Sequence, residues 1–271
     1  MKVAFQGEHG AYSEEACSAY FDTPDSVPCE TFEAVFAAVN SNQCEFGLIP
    51  IENSLAGSIH QNYDLLLQNE LYIVGEYFLR VRHCLIGFPG VTKLEIKKVI
   101  SHPQALGQCA GFLRGMGVKS EPVYDTAGSV KILKATGDHT SAAIASHKAA
   151  DIHGMQILQE GIEDNPENFT RFLAIGRSEV RPAGEAKTSI VFILKNQPGT
   201  LFKALSVFAL REIDLTKIES RPLAGKPWEY LFYIDFTGGV REKRVKKALD
   251  HLGEYALMLR VFGSYQRAII T

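Results

Sequence analysis

Along residues 1–176, short apolar runs alternate with stretches in which apolar positions recur every three or four residues. The first kind predicts strands at 2–6, 46–51, 73–85, 98–100, 119–124, 142–145, 155–159 and 169–175. The second predicts helices starting near Ala11, Phe32, Ile59, Gln104, Ala127 and His147. That alternation argues an α/β fold with mostly parallel strands. The apolar segment 71–87 is long enough for two strands joined by a crossing. The region therefore reads as two lobes, with the chain crossing near 76–82 and returning near 160–168.

Residues 178–186 interrupt the pattern with a polar stretch holding Pro182 and Gly184, and read as a linker. After it the order is strand 188–194, helix 200–211, strands 215–220 and 229–236, helix 242–252 and strand 257–264. This βαββαβ succession predicts a ferredoxin-like module over 187–271. The expected organisation is thus an α/β domain over 1–177, a linker over 178–186 and the module over 187–271.

Composition supports this division. The 46% hydrophobic content suffices for a sizeable core, and no run resembles an 18-residue membrane span. The first seven residues turn polar too quickly for a signal peptide. The five cysteines are scattered without metal or disulfide spacing, so reduced thiols in a cytoplasmic protein are expected. The net charge of −3 is uneven. Residues 1–186 carry 14 basic and 23 acidic side chains (14 − 23 = −9), and residues 187–271 carry 14 and 8 (14 − 8 = +6). The basic excess gathers in 241–247, where aromatic and glycine-rich reading elements are lacking. A solvated helix face is expected there, with no nucleic-acid partner and no membrane.

Candidate chemistry sits where predicted strands end. Gly7-Glu8-His9-Gly10-Ala11-Tyr12-Ser13, the segment 50–58, Ser101-His102-Pro103-Gln104 and Asp125-Thr126-Ala127-Gly128 each open a helix. One such loop is an ordinary N-cap, but four together describe an anion crevice beyond the carboxyl ends of strands. The patterns GxxxxGK[ST] and GxGxxG are absent, which disfavours nucleotides and favours a small organic acid. The eight histidines are dispersed, and no paired spacing suggests a metal or calls for a cofactor. At Asn168-Phe169-Thr170-Arg171-Phe172, a hydroxyl and a guanidinium stand at the head of an apolar strand. Alternation turns Thr170 and Arg171 to opposite faces.

These segments, in this order, resemble the catalytic domain of prephenate dehydratases. Residues 187–271 resemble an ACT regulatory domain through Asn196, Pro198, Gly199 and Leu201, and through Glu219-Ser220-Arg221-Pro222. The resemblance implies a two-lobed fold similar to periplasmic-binding proteins, with the site in the cleft. It implies cofactor-free, decarboxylating dehydration of prephenate to phenylpyruvate. It implies L-phenylalanine as effector, held between paired ACT domains by Asn196, Pro198, Gly199, Thr200, Leu201, Glu219, Ser220, Arg221 and Pro222. ACT pairing implies a homo-oligomer, with a homotetramer built as a dimer of dimers suggested. Thr200 departs from the Gly-Ala-Leu pattern of many members, which bears on feedback strength. Arogenate is the rival substrate, since residues 203–211 resemble plant arogenate dehydratases. A rival of another class is a non-catalytic amino-acid sensor.

Aromatisation drives the reaction, so the enzyme must hold two carboxylates, help hydroxide leave and keep the scissile carboxylate poorly hydrated. Thr170 is the candidate donor to the departing hydroxyl. Arg171 is either a carboxylate clamp or a structural ion-pair partner. Asn53, Ser54, Ser101 and Thr126 are candidate substrate donors, and Glu52 either positions a donor or orients Arg171. Gly57, Ser58 and Gln104 complete the expected binding loops. His102 is a proton relay or a cap, and Phe172 excludes water or packs in the core.

Overall fold

The computed structural model describes residues 1–223, 225, 226 and 229–270. The chain divides into two compact units, Met1–Leu65 with Tyr77–Phe172 and Leu66–Glu76 with Leu173–Thr271. The strands Tyr72–Arg80 and Phe169–Gly176 run through the points where the chain passes from one unit to the other.

Two sheets organise the first unit. One has the strand order Asp25–Cys29, Lys2–Gln6, Phe46–Asn53, Phe169–Gly176, Tyr72–Arg80, with Gly57–Ser58 hairpinned against Phe46–Asn53. Its first three strands are parallel. The other runs Gln156–Glu160, Cys84–Gly87, Ser141–Ala145, Lys98–Ser101, Lys119–Pro122. It corrects the expectation of mostly parallel strands, because Cys84–Gly87 is antiparallel to both neighbours. The reason is topological. Ser141–Ala145, helix His147–His153 and Gln156–Glu160 form one crossover that skips a place, and the chain arriving from the first sheet fills it.

The expected apolar run 73–85 is indeed two strands, broken at Val81–His83. Asp25–Cys29 escaped the sequence reading because it is a short edge strand holding Pro28, a residue that alternation does not flag. The helix expected near Gln104 is two, Pro103–Gln108 and Ala110–Met116, separated at Cys109. Side-chain caps fix several helix starts. Thr31 accepts from Ala34 N–H at 3.2 Å, Asp125 from Gly128 N–H at 2.6 Å and Ser146 from Ala149 N–H at 3.0 Å. Ser146 also donates to the Gly10 carbonyl at 2.6 Å. Gly10 needs to be glycine: its φ is +90°, and a Cβ would stand 2.8 Å from Ala149 Cα.

The second unit carries an antiparallel sheet of order Leu215–Pro222, Tyr230–Thr237, Ala186–Leu194, Ala256–Gln266, the βαββαβ module. The helices Thr200–Ala209 and Lys243–Tyr255 bury Phe208, Val245 and Leu252 against Phe192, Ile234 and Phe236. Polar groups of this sheet are also buried. Ser189 Oγ donates to Asp235 at 2.5 Å and lies 2.6 Å from the Tyr265 hydroxyl. Segment 66–76 packs within the unit. Gly263 comes so close that a Cβ there would meet the Ile73 carbonyl at 2.2 Å. Arg260 donates to the carbonyls of Leu67, Asn69 and Leu71. Lys187 Nζ reaches Glu76 at 2.8 Å, with both side chains buried, and Glu76 also accepts from Ala268 N–H.

A buried ammonium left without its carboxylate is costly. Glu76→Ala is therefore expected to destabilise the protein by about 3–5 kcal/mol, read by urea denaturation. Glu76→Gln, which keeps a hydrogen-bond acceptor, is expected to cost less.

Candidate active site

The first unit holds a cleft where the expected motifs converge. Asn168, Thr170 and Phe172 line it, alternating along one strand and its lead-in. Asn53, Pro50 and Ile59 come from the strand and turn before helix His60–Gln68. Tyr12 and Ser13 come from the first turn of helix Tyr12–Tyr20, His102 and Gln104 from the start of Pro103–Gln108, and Thr126 from the start of Thr126–Thr136. An adjoining depression shares Tyr12, Ser13 and Thr126 and adds Gly7, Gly10 and Asp125. Three helix N-termini therefore meet, and their unpaired N–H groups suit carboxylates. Among the described residues, no Lys, Arg, Asp or Glu lines the cleft beside Thr170. In the depression, the Asp125 carboxylate already accepts the Gly128 N–H.

Asn53 organises the centre. Its Oδ1 accepts from Leu55 N–H at 3.0 Å and Ala56 N–H at 2.9 Å, closing the turn after its strand. That fixes which end of the amide is nitrogen. Asn53 Nδ2 then donates to Asn168 Oδ1 at 2.8 Å, Thr170 Oγ1 at 3.0 Å and the Phe169 carbonyl at 3.2 Å. Thr170 Oγ1 is thus an acceptor within the protein, and no described residue takes its proton. The hydroxyl is set up as a donor to whatever occupies the cleft. Asn168 Nδ2 is a buried donor with no partner. An acceptor atom in the cleft would remove the cost of leaving it unpaired.

Several expected site residues do other work. Ser101 is fully buried, its hydroxyl donates to the Ile144 carbonyl at 2.7 Å and ties two strands, and it is absent from the lining of the cleft. Ser54 donates to the Glu167 carbonyl at 2.8 Å and accepts from Phe169 N–H at 2.9 Å, pinning the strand that carries Thr170. Arg171 is buried and faces away from Thr170, as alternation requires, and it does not line the cleft. Glu52, Gly57 and Ser58 belong to a β-hairpin beside the cleft, with Glu52 opposite Ser58 and Asn53 opposite Gly57. His102 caps its own helix, its Nδ1 accepting from Gln104 N–H at 3.2 Å, while its ring lines the cleft. Phe172 is buried and contributes apolar lining.

The structure adds His83, which no motif singled out. His83 is 2% exposed and lines the cleft with both ring nitrogens engaged, Nδ1 at 2.8 Å from the Tyr12 hydroxyl and Nε2 at 2.8 Å from the Gln108 amide. Burial pushes its pKa below the usual histidine range, against smaller opposing effects from Gln108 and Glu163. Burial likewise pushes Tyr12 well above the ordinary tyrosine value, so its hydroxyl keeps its proton. The free thiols of Cys17 and Cys84 are pushed up to about 12 by burial, which makes them inert packing groups. Among the described residues no cluster of His, Cys, Asp and Glu could hold a metal ion.

In the second unit, strand register gathers the expected effector residues at one end of the sheet. Arg221 stands opposite Leu231, and Leu231 opposite Ile193, just before the loop carrying Asn196, Pro198 and Gly199. Glu219 and Arg221 share one side of their strand, whereas Ser220 and Pro222 are exposed on the other. Gly199 has φ +80° and leads into helix Thr200–Ala209, whose Leu201 packs on the module core. Thr200 turns its hydroxyl to the Gln197 carbonyl at 2.9 Å.

A cleft of hydroxyls, amides and helix N-termini joined to a βαββαβ module defines a small-acid enzyme with a regulatory domain. Residues 3–180 match the family model described as prephenate dehydratase, and residues 188–254 match the ACT domain. The chain is similar to "Arogenate dehydratase/prephenate dehydratase 2, chloroplastic" of Arabidopsis thaliana, with 48% identity over 98% of this chain and 72% of that one. Among solved structures, a prephenate dehydratase from Arthrobacter aurescens in complex with L-Phe superposes with a TM-score of 0.90 at 30% identity, covering 100% of this chain and 93% of the other. GqqA, described as a novel type of quorum quenching acylase, superposes with a TM-score of 0.93 at 34% identity, covering 99% and 98%. The chain belongs to the prephenate dehydratase family and carries an ACT regulatory domain.

A histidine whose proton affinity is lowered by folding weakens the fold once the unfolded chain takes up a proton that the folded one refuses. Stability from His83 is therefore whole above the unfolded value near 6.5 and declines as pH falls below it, down to the lowered folded value. Urea midpoints measured between pH 7.5 and 5.5 are expected to fall, and His83→Gln is expected to flatten part of that fall.

Proposed function

We propose that the enzyme converts prephenate to phenylpyruvate, carbon dioxide and water, in preference to acting on arogenate. The carrying observation is a cleft with a proton-bearing Thr170 hydroxyl and no acidic side chain beside it. Prephenate brings two carboxylates and a keto group, which suit helix N-termini and amide donors. Arogenate brings an ammonium, for which such a cleft supplies no free carboxylate partner. In the reaction the ring carboxylate leaves as carbon dioxide, its bonding pair enters the ring, and the hydroxyl departs on the opposite side of the conjugated system. Thr170 donates a hydrogen bond to that hydroxyl as negative charge develops on it, and the apolar wall at Phe172 limits hydration. The departing hydroxide takes its proton from solvent or from a cleft acid, since a threonine hydroxyl is too weak an acid to give up its own.

The likeness to an acylase points to a second chemistry that this site does not favour. Acyl transfer needs a nucleophile held by a base, and among the described residues none of the hydroxyls of Ser13, Thr126 and Thr170 that line the cleft is hydrogen-bonded to a histidine or a carboxylate.

The ACT module is proposed to bind L-phenylalanine at the end of the sheet carrying Asn196–Leu201 and Glu219–Pro222, against a second copy of the chain in a homo-oligomer. Glu219 and Arg221 would meet the ammonium and carboxylate of the amino acid. A ligand with different affinities for two states shifts their balance, which is how feedback would reach the cleft.

Three measurements test this. Thr170→Ala is expected to lower kcat by roughly 100–1,000-fold, read as ultraviolet appearance of phenylpyruvate at neutral pH. Turnover near wild type in that variant would remove Thr170 from the mechanism. Prephenate and arogenate assayed side by side are expected to differ at least tenfold in kcat/KM in favour of prephenate, which corresponds to about 1.4 kcal/mol. In calorimetry, Arg221→Ala is expected to weaken phenylalanine binding by tenfold or more.

A further inference from the structure

Helix His60–Gln68 belongs to both units, which part between Leu65 and Leu66. Its start is tied to the cleft. Ile59 N–H donates to the Ile51 carbonyl at 2.9 Å, and the fully buried Asn62 amide donates to the Pro50 carbonyl at 2.6 Å. Ile59 and Pro50 line the cleft with Thr170, and the strand that holds Pro50 and Ile51 also carries Asn53. The far end of the helix is held from the module. Arg260 donates to the Leu67 carbonyl at 2.9 Å, in the last turn, and to the carbonyls of Asn69 and Leu71 just beyond it. The last carbonyls of a helix lack partners within it and form its negative end. The guanidinium is thus a cap supplied from 193 residues away in sequence.

Arg260 also ends a packed row on the sheet face turned away from the two module helices. Ile190, Ile234 and Val261 face those helices, so their neighbours in each strand face the other way. The guanidinium carbon lies 5.0 Å from the Phe262 ring centroid. Phe262 stacks on Tyr233 with centroids 6.2 Å apart and planes 8° from parallel, and both rings are buried. Tyr233 stands opposite Glu219 in the strand register, so the row begins beside a residue proposed to meet the ammonium of phenylalanine. Close-packed interiors transmit strain instead of absorbing it. The helix at the other end of the row has nine residues, is about 13 Å long and moves as a body.

Resting on the reading of the module as the phenylalanine site, we propose that Arg260 couples that site to the cleft. Two states of the protein differ in how the guanidinium sits on the end of helix His60–Gln68. Phenylalanine engaging Glu219 favours one of them through the packing of Tyr233 on Phe262. The helix then carries the difference to Ile59 and Pro50 in the cleft wall. Arg260 touches neither ligand, so its contribution is to the coupling between the sites and not to the affinity of either.

The test measures how far saturating L-phenylalanine lowers kcat/KM for whichever of prephenate and arogenate the wild type turns over, with phenylalanine binding read separately by calorimetry. In wild type a fall of about fivefold or more is expected, the lower end of ordinary coupling. Arg260→Lys keeps the charge, but its single ammonium does not reproduce the fork over three carbonyls. Phe262→Leu keeps the guanidinium and removes the ring beneath it. Both variants are expected to keep phenylalanine binding, to hold kcat/KM without phenylalanine within about threefold of wild type, and to lose inhibition to within about twofold. A merely structural role would lower the urea midpoints and leave the inhibition at its wild-type size. Inhibition of wild-type size in either variant, folded and binding phenylalanine, overturns the proposal, and Phe262→Leu decides alone if Arg260→Lys does not fold. Wild-type enzyme that binds no phenylalanine removes the reading of the module itself, and enzyme inert towards both substrates removes the dehydratase reading. Both of those results are visible before any variant is made.

Discussion

One side chain, the Asn53 amide, sets the geometry on which the cleft depends. Its oxygen closes the turn that follows its own strand, and its nitrogen reaches across the sheet to Asn168, Phe169 and Thr170. Residues more than a hundred positions apart are thereby fixed to within hydrogen-bond tolerance. Ser54 doubles the tie by exchanging hydrogen bonds with Glu167 and Phe169. Because Asn53 donates to Thr170, the threonine oxygen is occupied from the protein side and its proton points elsewhere. The chemistry proposed for Thr170 is a consequence of the direction of that one hydrogen bond.

The second constraint is that, among the described residues, the cleft proposed to take an anion has no Lys or Arg in its lining. Arg171, next in sequence to Thr170, is buried on the opposite face of the strand. In the proposed function, charge recognition falls to helix N-termini and to neutral donors such as the Asn168 amide. Neutral donors are directional, so their orientation has to be enforced. Asn53 fixes Asn168. A cleft built this way discriminates by where its N–H and O–H groups point more than by net charge.

The regulatory module shows how the chain's order in space departs from its order in sequence. Residues 66–76 precede most of the catalytic region, yet they pack within the unit that carries the module. The buried Lys187–Glu76 pair, the guanidinium of Arg260 over three carbonyls and the close approach of Gly263 to Ile73 make that segment specific to its place. The strand that begins at Phe169 carries Thr170 near its start and enters the same unit at Leu173.

The order of most strands and helices and the βαββαβ module were legible because hydrophobic period and turn residues act locally along the chain. So were the helix-opening loops and the alternation that set Thr170 and Arg171 on opposite faces. The short edge strand Asp25–Cys29 and the split at Cys109 were not, since neither carries a long periodic signal. The site was legible only as a set of donors. Ser54 and Ser101 look like Asn53 and Thr170 in sequence, and only the fold shows that their hydroxyls donate to the carbonyls of Glu167 and Ile144. His83 gave no signal, because a buried imidazole acquires its meaning from Tyr12 on one side and an amide on the other. The sequence by itself determined which elements form and which polar groups exist. The tertiary structure decided which of those groups are consumed in holding the fold and which are left to bind, because hydrogen bonds are settled by partners that the chain brings together only when it folds.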